Sequence, residues 1–152
     1  MKKYVIIFFF SFILLQLSAQ SWEYDIRCAG VGVQGTYLVE VSGYGKTVEK
    51  AISEIKKAAV HGVLFRGISG ECKQKPIIND PGAESSKADF FNKFFSDNGD
   101  YAKYVTAVDN THYTPSKVGK RYKVTMLFSV KKDMLRKDME TAGIIKSLDS
   151  GF

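Results

Sequence analysis

The stretch TYLVEVSGYGKTVEKAISEIKKAAVHGVL, residues 36–64, changes its hydrophobic period halfway along. Tyr37, Val39 and Val41 alternate with Leu38, Glu40 and Ser42. That is the period of two expected of a strand with one buried face. From Lys46 onward the apolar positions are Val48, Ala51, Ile52, Ile55, Ala58, Ala59, Gly62 and Val63. They recur at spacings of three and four, which predicts an amphipathic helix over 46–64. Lys46, Glu49, Lys50, Ser53, Glu54, Lys56 and Lys57 occupy its polar side. The small residues Ala51, Ala58, Ala59 and Gly62 imply close packing against a flat partner, most simply a sheet. Gly43 and Gly45 are expected to turn the strand into the helix, with Thr47 near its start as a cap.

Reading outward from this unit, Trp22, Tyr24, Ile26 and Cys28 alternate with Glu23, Asp25 and Arg27. This predicts an earlier strand that pairs with 37–41 across a glycine-rich stretch. Residues 67–82, punctuated by glycines, Pro76 and Pro81, read as a loop tied down by Cys72. Ser86-Lys87-Ala88-Asp89 matches the capping-box pattern. Phe90, Phe91, Phe94 and Phe95 behind it share one helical face. Residues 101–108 look extended, and 109–119 form a polar connection. Tyr122, Val124, Met126, Phe128 and Val130 alternate with Lys123, Thr125, Leu127, Ser129 and Lys131, the strongest strand signal in the chain. A short helix follows from about Asp133, with Leu135, Met139 and Ala142 on one stripe and Gly143 as its stop. The order β-β-α-α-β-β-α predicts an α+β two-layer sandwich, an antiparallel or mixed sheet with helices on one face.

The N-terminus sets the compartment. Lys2 and Lys3 precede an apolar run, residues 5–15, and Leu17-Ser18-Ala19 offers a small-residue cleavage site. This is the pattern of a signal peptide over residues 1–19. The run is shorter than the roughly 20 residues that a spanning helix needs, so no membrane span is expected after cleavage. Residues 20–152 then form a single domain, exported to the periplasm or the extracellular space. In that setting Cys28 and Cys72 are expected to form a disulfide; the alternative is a pair of buried free thiols.

Two nucleotide-like motifs fail on context. Gly30, Gly32 and Gly35 spell GxGxxG, but a strand follows where a dinucleotide site needs a helix N-terminus. The glycines read instead as a bulge or crossing point. Gly45-Lys46-Thr47 ends like a P-loop, yet Glu40 stands where that loop needs its first glycine. Neither nucleotide nor any other cofactor is expected, and export disfavours nucleic acid. His61 and His112 are the only histidines, and neither has a metal-ligand partner at helical spacing. His61, near a helix C-terminus, suits a cation that complements the dipole. No catalytic or metal-binding set stands out.

The remaining positive charge is local. From Lys117 onward nine Lys and Arg face four Asp and Glu. Lys117, Lys120, Arg121 and Lys123 flank a turn and form a candidate interaction patch. Four aromatics at helical spacing bury well and are expected in the core; because four in a row can exceed what one sheet covers, Phe91 and Phe95 are the candidates left over for a partner surface.

Residues 22–65, a glycine-bearing hairpin followed by a helix with Ala51, Ala58, Ala59 and Val60, resemble small α+β domains of the bacterial envelope. The type is the N-terminal domain of flagellar assembly protein T and related envelope lipoproteins. The lipobox of those lipoproteins is missing. The resemblance implies a non-enzymatic envelope component and carries over no functional residue. The expected function is therefore an accessory or binding component of a periplasmic or cell-surface assembly, with a protein partner. The competing expectation is a ligand-binding or hydrolytic domain whose pocket draws on His112, Tyr113 and the basic turn.

Overall fold

The computed structural model describes residues 21–109 and 113–147. The expected signal peptide and His112 lie outside the described residues. The chain is an α+β protein, and the period change in residues 36–64 is its organising feature. Strands β1 (Tyr24–Gly30) and β2 (Tyr37–Gly45) pair antiparallel, and β2 is followed by helix α1 (Val48–His61). A π-helical turn, Gly62–Arg66, prolongs α1. Helices α2 (Ala83–Ser86) and α3 (Ala88–Phe94) and a 3₁₀ turn, Asp100–Tyr104, lead into the short strand β3 (Val105–Ala107). Strands β4 (Ser116–Val118) and β5 (Arg121–Val130) form a hairpin, and helix α4 (Lys132–Thr141) follows. The sheet order is β1-β2-β5-β3, antiparallel throughout, with β4 paired to the start of β5.

Register explains the core. Ile26 pairs with Val41, which pairs with Met126; Val39 pairs with Phe128. All five are buried, so alternation on three strands delivers one apolar face. Helix α1 lies across it with Ala51, Ile55, Ala58 and Ala59 inward. Full burial of a side chain such as Ile55 contributes about 1.5–3 kcal/mol. Asp25, Arg27 and Glu40, one step out of phase, are exposed on the other face, as expected for an antiparallel sheet with one wet side.

The helix sits close because glycine lies beneath it. Gly43 and Gly45 do not turn the chain, as their sequence position implies; both are buried within β2. A Cβ on Gly43 would come 2.8 Å from Ile55 Cγ2, and one on Gly45 would overlap the backbone of Ala51. The turn into α1 is made after them, and Thr47 Oγ1 caps the helix by accepting from Lys50 N at 3.2 Å.

Three local expectations are corrected. The capping box at 86–89 does not form: Ser86 ends α2, its hydroxyl donates to Ala83 O at 3.3 Å, and Lys87 separates two short helices. The reason is that the helical segment starts earlier, at Ala83, where Glu84 docks onto α1. Residues 100–104 are a 3₁₀ turn rather than strand, which buries both Tyr101 and Tyr104. Lys57 is not on a wet face but 5 % exposed. Its stem packs inward, while Nζ donates to Asp97 Oδ1 at 2.8 Å, a long side chain reaching from core to surface. Burial opposes its charge, but the Asp97 hydrogen bond and the Glu54 charge outweigh it and raise its pKa.

Candidate functional site

Two places concentrate functional chemistry. The first lies where α1 ends against β1. Here Tyr24 Oη and His61 Nδ1 are 2.6 Å apart, and His61 Nε2 is 3.2 Å from Glu84 Oε2. Trp22 Nε1 donates to Glu84 Oε1 at 2.9 Å, and its ring stacks on His61 with centroids 4.0 Å apart. With Glu84 ionised, Nε2 must carry the ring proton and Nδ1 must accept from the Tyr24 hydroxyl. Burial holds His61 down to about 4, against the pull of Glu84, so the ring is neutral at physiological pH. The expectation of a cation at the helix end is therefore overturned. Burial likewise raises the Tyr24 pKa, with Arg66 opposing.

Its geometry is that of a relay, but His61 is 3 % exposed and walled by Trp22, Phe65 and Phe95. The cluster works as a latch joining β1, α1 and α2. No sequence spacing betrays it, because Tyr24, His61 and Glu84 come from three separate segments.

The second place is the loop between β1 and β2. The strand register shifts between Cys28 and Gly30, the bulge that the glycines suggested. Cys28 is bonded to Cys72, with Cα atoms 5.7 Å apart, as the pairing expectation held. Cys28 N also donates to Ser69 O at 2.8 Å, and Ser69 Oγ donates to Ile26 O at 2.8 Å. At the other end Gly35 has φ 80 and its carbonyl accepts from Asp133 N at 3.2 Å, tying the loop to the start of α4. A side chain at Gly35 would strain the backbone and crowd the Asp133 carboxylate. Between these anchors Val31 and Val33 stand 96 % and 79 % exposed.

Gly30, Gly32 and Gly35 all line a recess of the loop, while Gly35 also packs against Asp133. A cavity of about 280 Å³ lies inside the loop, with Leu38 and Ile68 on its wall. A groove of about 410 Å³ adjoins it and shares Tyr37, Gln74 and Lys132. Lys73 and Lys75 of the 67–82 loop and Lys132 and Arg136 of α4 all line that groove.

The patch expected from sequence is divided by the fold. Lys117 and Lys120 are exposed on the β4–β5 hairpin. Arg121 makes a bidentate pair with Glu23 at 2.7 and 3.1 Å and covers the Tyr44 ring at 4.6 Å. Lys123 lies 5.9 Å over the same ring. Phe91 and Phe95 do not join them; they are 2 % and 4 % exposed, in the core. Residues 83–104 fold over α1, so Phe91 packs on Phe65 and Phe95 on Trp22, His61 and Tyr101 rather than on the sheet alone. Tyr113 is exposed.

Among the described residues no group of three or more His, Cys, Asp or Glu side chains is placed to hold a metal ion. No helix among them is long and apolar enough to cross a membrane. The chain matches no family model, no curated protein and no solved structure.

Proposed function

We propose that this chain is an exported, non-enzymatic binding component of a cell-envelope or secreted assembly, and that it docks a protein partner at the glycine-loop end. The observation that carries the reading is the pinned loop. Val31 and Val33 are almost fully exposed, yet the segment bearing them is fixed by a disulfide, by Ser69 and by Asp133. Exposed apolar side chains on a pre-ordered loop favour association, because little conformational entropy is lost on binding. The disulfide is compatible with an oxidising, exported location. The resemblance of residues 22–65 to envelope domains points to the same class.

The test places a photoreactive amino acid at Val31 in the full-length chain expressed in its own host. A discrete crosslinked partner is expected, and the Val31→Asp/Val33→Asp variant should lose it while keeping its folded circular dichroism. No crosslink at Val31, or a crosslinked partner equally recovered by the double aspartate variant, overturns the reading.

A further inference from the structure

The groove beside the glycine loop has a chemistry of its own. Its lining holds four cations, Lys73, Lys75, Lys132 and Arg136, against one carboxylate, Asp133. Asp133 is already engaged, since Lys132 Nζ donates to its Oδ1 at 2.7 Å. Lys132 also sits 5.2 Å over the Tyr37 ring. Arg136 uses Nε on Glu140 at 3.1 Å. Lys73 and Lys75 have no ion pair among the described residues and are exposed. Like charges gathered in a concavity repel one another, and an anion entering it relieves that repulsion as well as making its own contacts.

The wall carrying Lys73 and Lys75 is held in place. Gln74 exchanges backbone hydrogen bonds with Ile68 at 2.9 and 3.0 Å, and Gln74 Oε1 accepts from the Tyr37 hydroxyl at 3.2 Å. Ile77 N donates to Val63 O at 3.0 Å. The two lysines therefore flank a fixed residue, with the disulfide at Cys72 just before them. The groove adjoins the recess of the glycine loop, whose lining includes Val31 and Val33.

We infer that this groove takes an acidic, extended segment of a partner polypeptide, with an apolar side chain of the same segment seated against Val31 and Val33. This rests on the docking reading above and adds the partner's charge. A basic trough adjoining an apolar recess suits a chain that alternates acidic and apolar side chains. Carboxylates meet Lys73, Lys75 and Arg136, while the apolar side chain reaches the glycine loop. The positive charges share a concavity, which focuses their field on an entering anion.

The test uses protein purified after expression of the full chain and two labelled peptides, one alternating Glu with Leu and one alternating Lys with Leu. Fluorescence anisotropy is expected to show binding of the first alone, weakening as salt rises. Lys73→Glu/Lys75→Glu should weaken it by at least about tenfold, since it turns attraction into repulsion. Lys117→Glu/Lys120→Glu, equal in charge but on the distant hairpin, should change it less than about twofold. Circular dichroism and Trp22 fluorescence check that both variants are folded. Equal weakening by the two variants, or no preference for the acidic peptide, overturns the inference. Sedimentation with phosphatidylglycerol vesicles without peptide binding also overturns it and assigns the groove to a lipid surface. If crosslinking at Val31 persists in the Lys73→Glu/Lys75→Glu chain, the acidic assignment fails while the docking reading stands. If no crosslink forms at Val31 in the unaltered chain, it is the docking reading that fails.

Discussion

Acid should weaken this fold through His61, and the effect can be sized. The ring is buried between Trp22, Phe65 and Phe95 and is held near pKa 4, against 6.5 for the free side chain. Above pH 6.5 the ring is neutral in both folded and unfolded chains, so it contributes no pH dependence. Below pH 6.5 the unfolded chain binds a proton that the folded chain refuses. Stability therefore falls as pH drops from 6.5 to about 4, and then levels off. At about 1.4 kcal/mol per unit, the loss reaches roughly 3.5 kcal/mol. With a urea slope of about 1.5 kcal/mol per molar, that moves the midpoint by about 2 M. Trp22 is the only tryptophan in the chain and stacks on the ring concerned, so its fluorescence reports the transition. Other groups titrate in this window as well, so the decisive quantity is the difference between the native chain and His61→Gln. The variant should be less stable at pH 7.5 but should lose little further through this site on acidification. If both chains lose the same stability between pH 6.5 and 4, the neutral buried histidine is refuted.

Two further predictions concern the scaffold. Cys28→Ser/Cys72→Ser should lower stability by about 4 kcal/mol, because the bond closes a loop of 44 residues in the unfolded chain. Urea midpoints measured with and without reductant check this, and a native chain insensitive to reduction contradicts it. Gly45→Ala should cost about 3 kcal/mol or more, since its Cβ overlaps the Ala51 backbone and α1 must lift from the sheet. Gly82→Ala, whose Cβ meets nothing nearer than Asp80 Oδ1 at 3.4 Å, is the control, and equal thermal midpoints for the two variants refute the close approach.

How far the sequence carries depends on the range of the interaction. Residues 36–64 identify strand and helix because the periods of two and 3.6 are local properties of the backbone. The α+β class follows from their order, and α1 begins where Thr47 indicates. Local pattern misleads where distant chain decides. Ser86 looks like a cap until Ala83 and Glu84 are drawn against α1. Lys57 looks like a wet-face residue until Asp97 receives its ammonium group.

The binding features divide in the same way. The sequence by itself marks the two cysteines, the glycine-rich loop and the basic C-terminal third. Only tertiary structure brings Lys73 and Lys75 into one groove with Lys132 and Arg136, some sixty residues away in the chain, and leaves Val31 and Val33 exposed. Tertiary structure also withdraws Phe91 and Phe95 into the core and seals His61 beside Glu84. The physical reason is that hydrophobic period and turn chemistry act over a few residues and are written locally. Burial, ion pairing and concavity depend on which distant surfaces meet, and those meetings exist only once the helices have closed on the sheet.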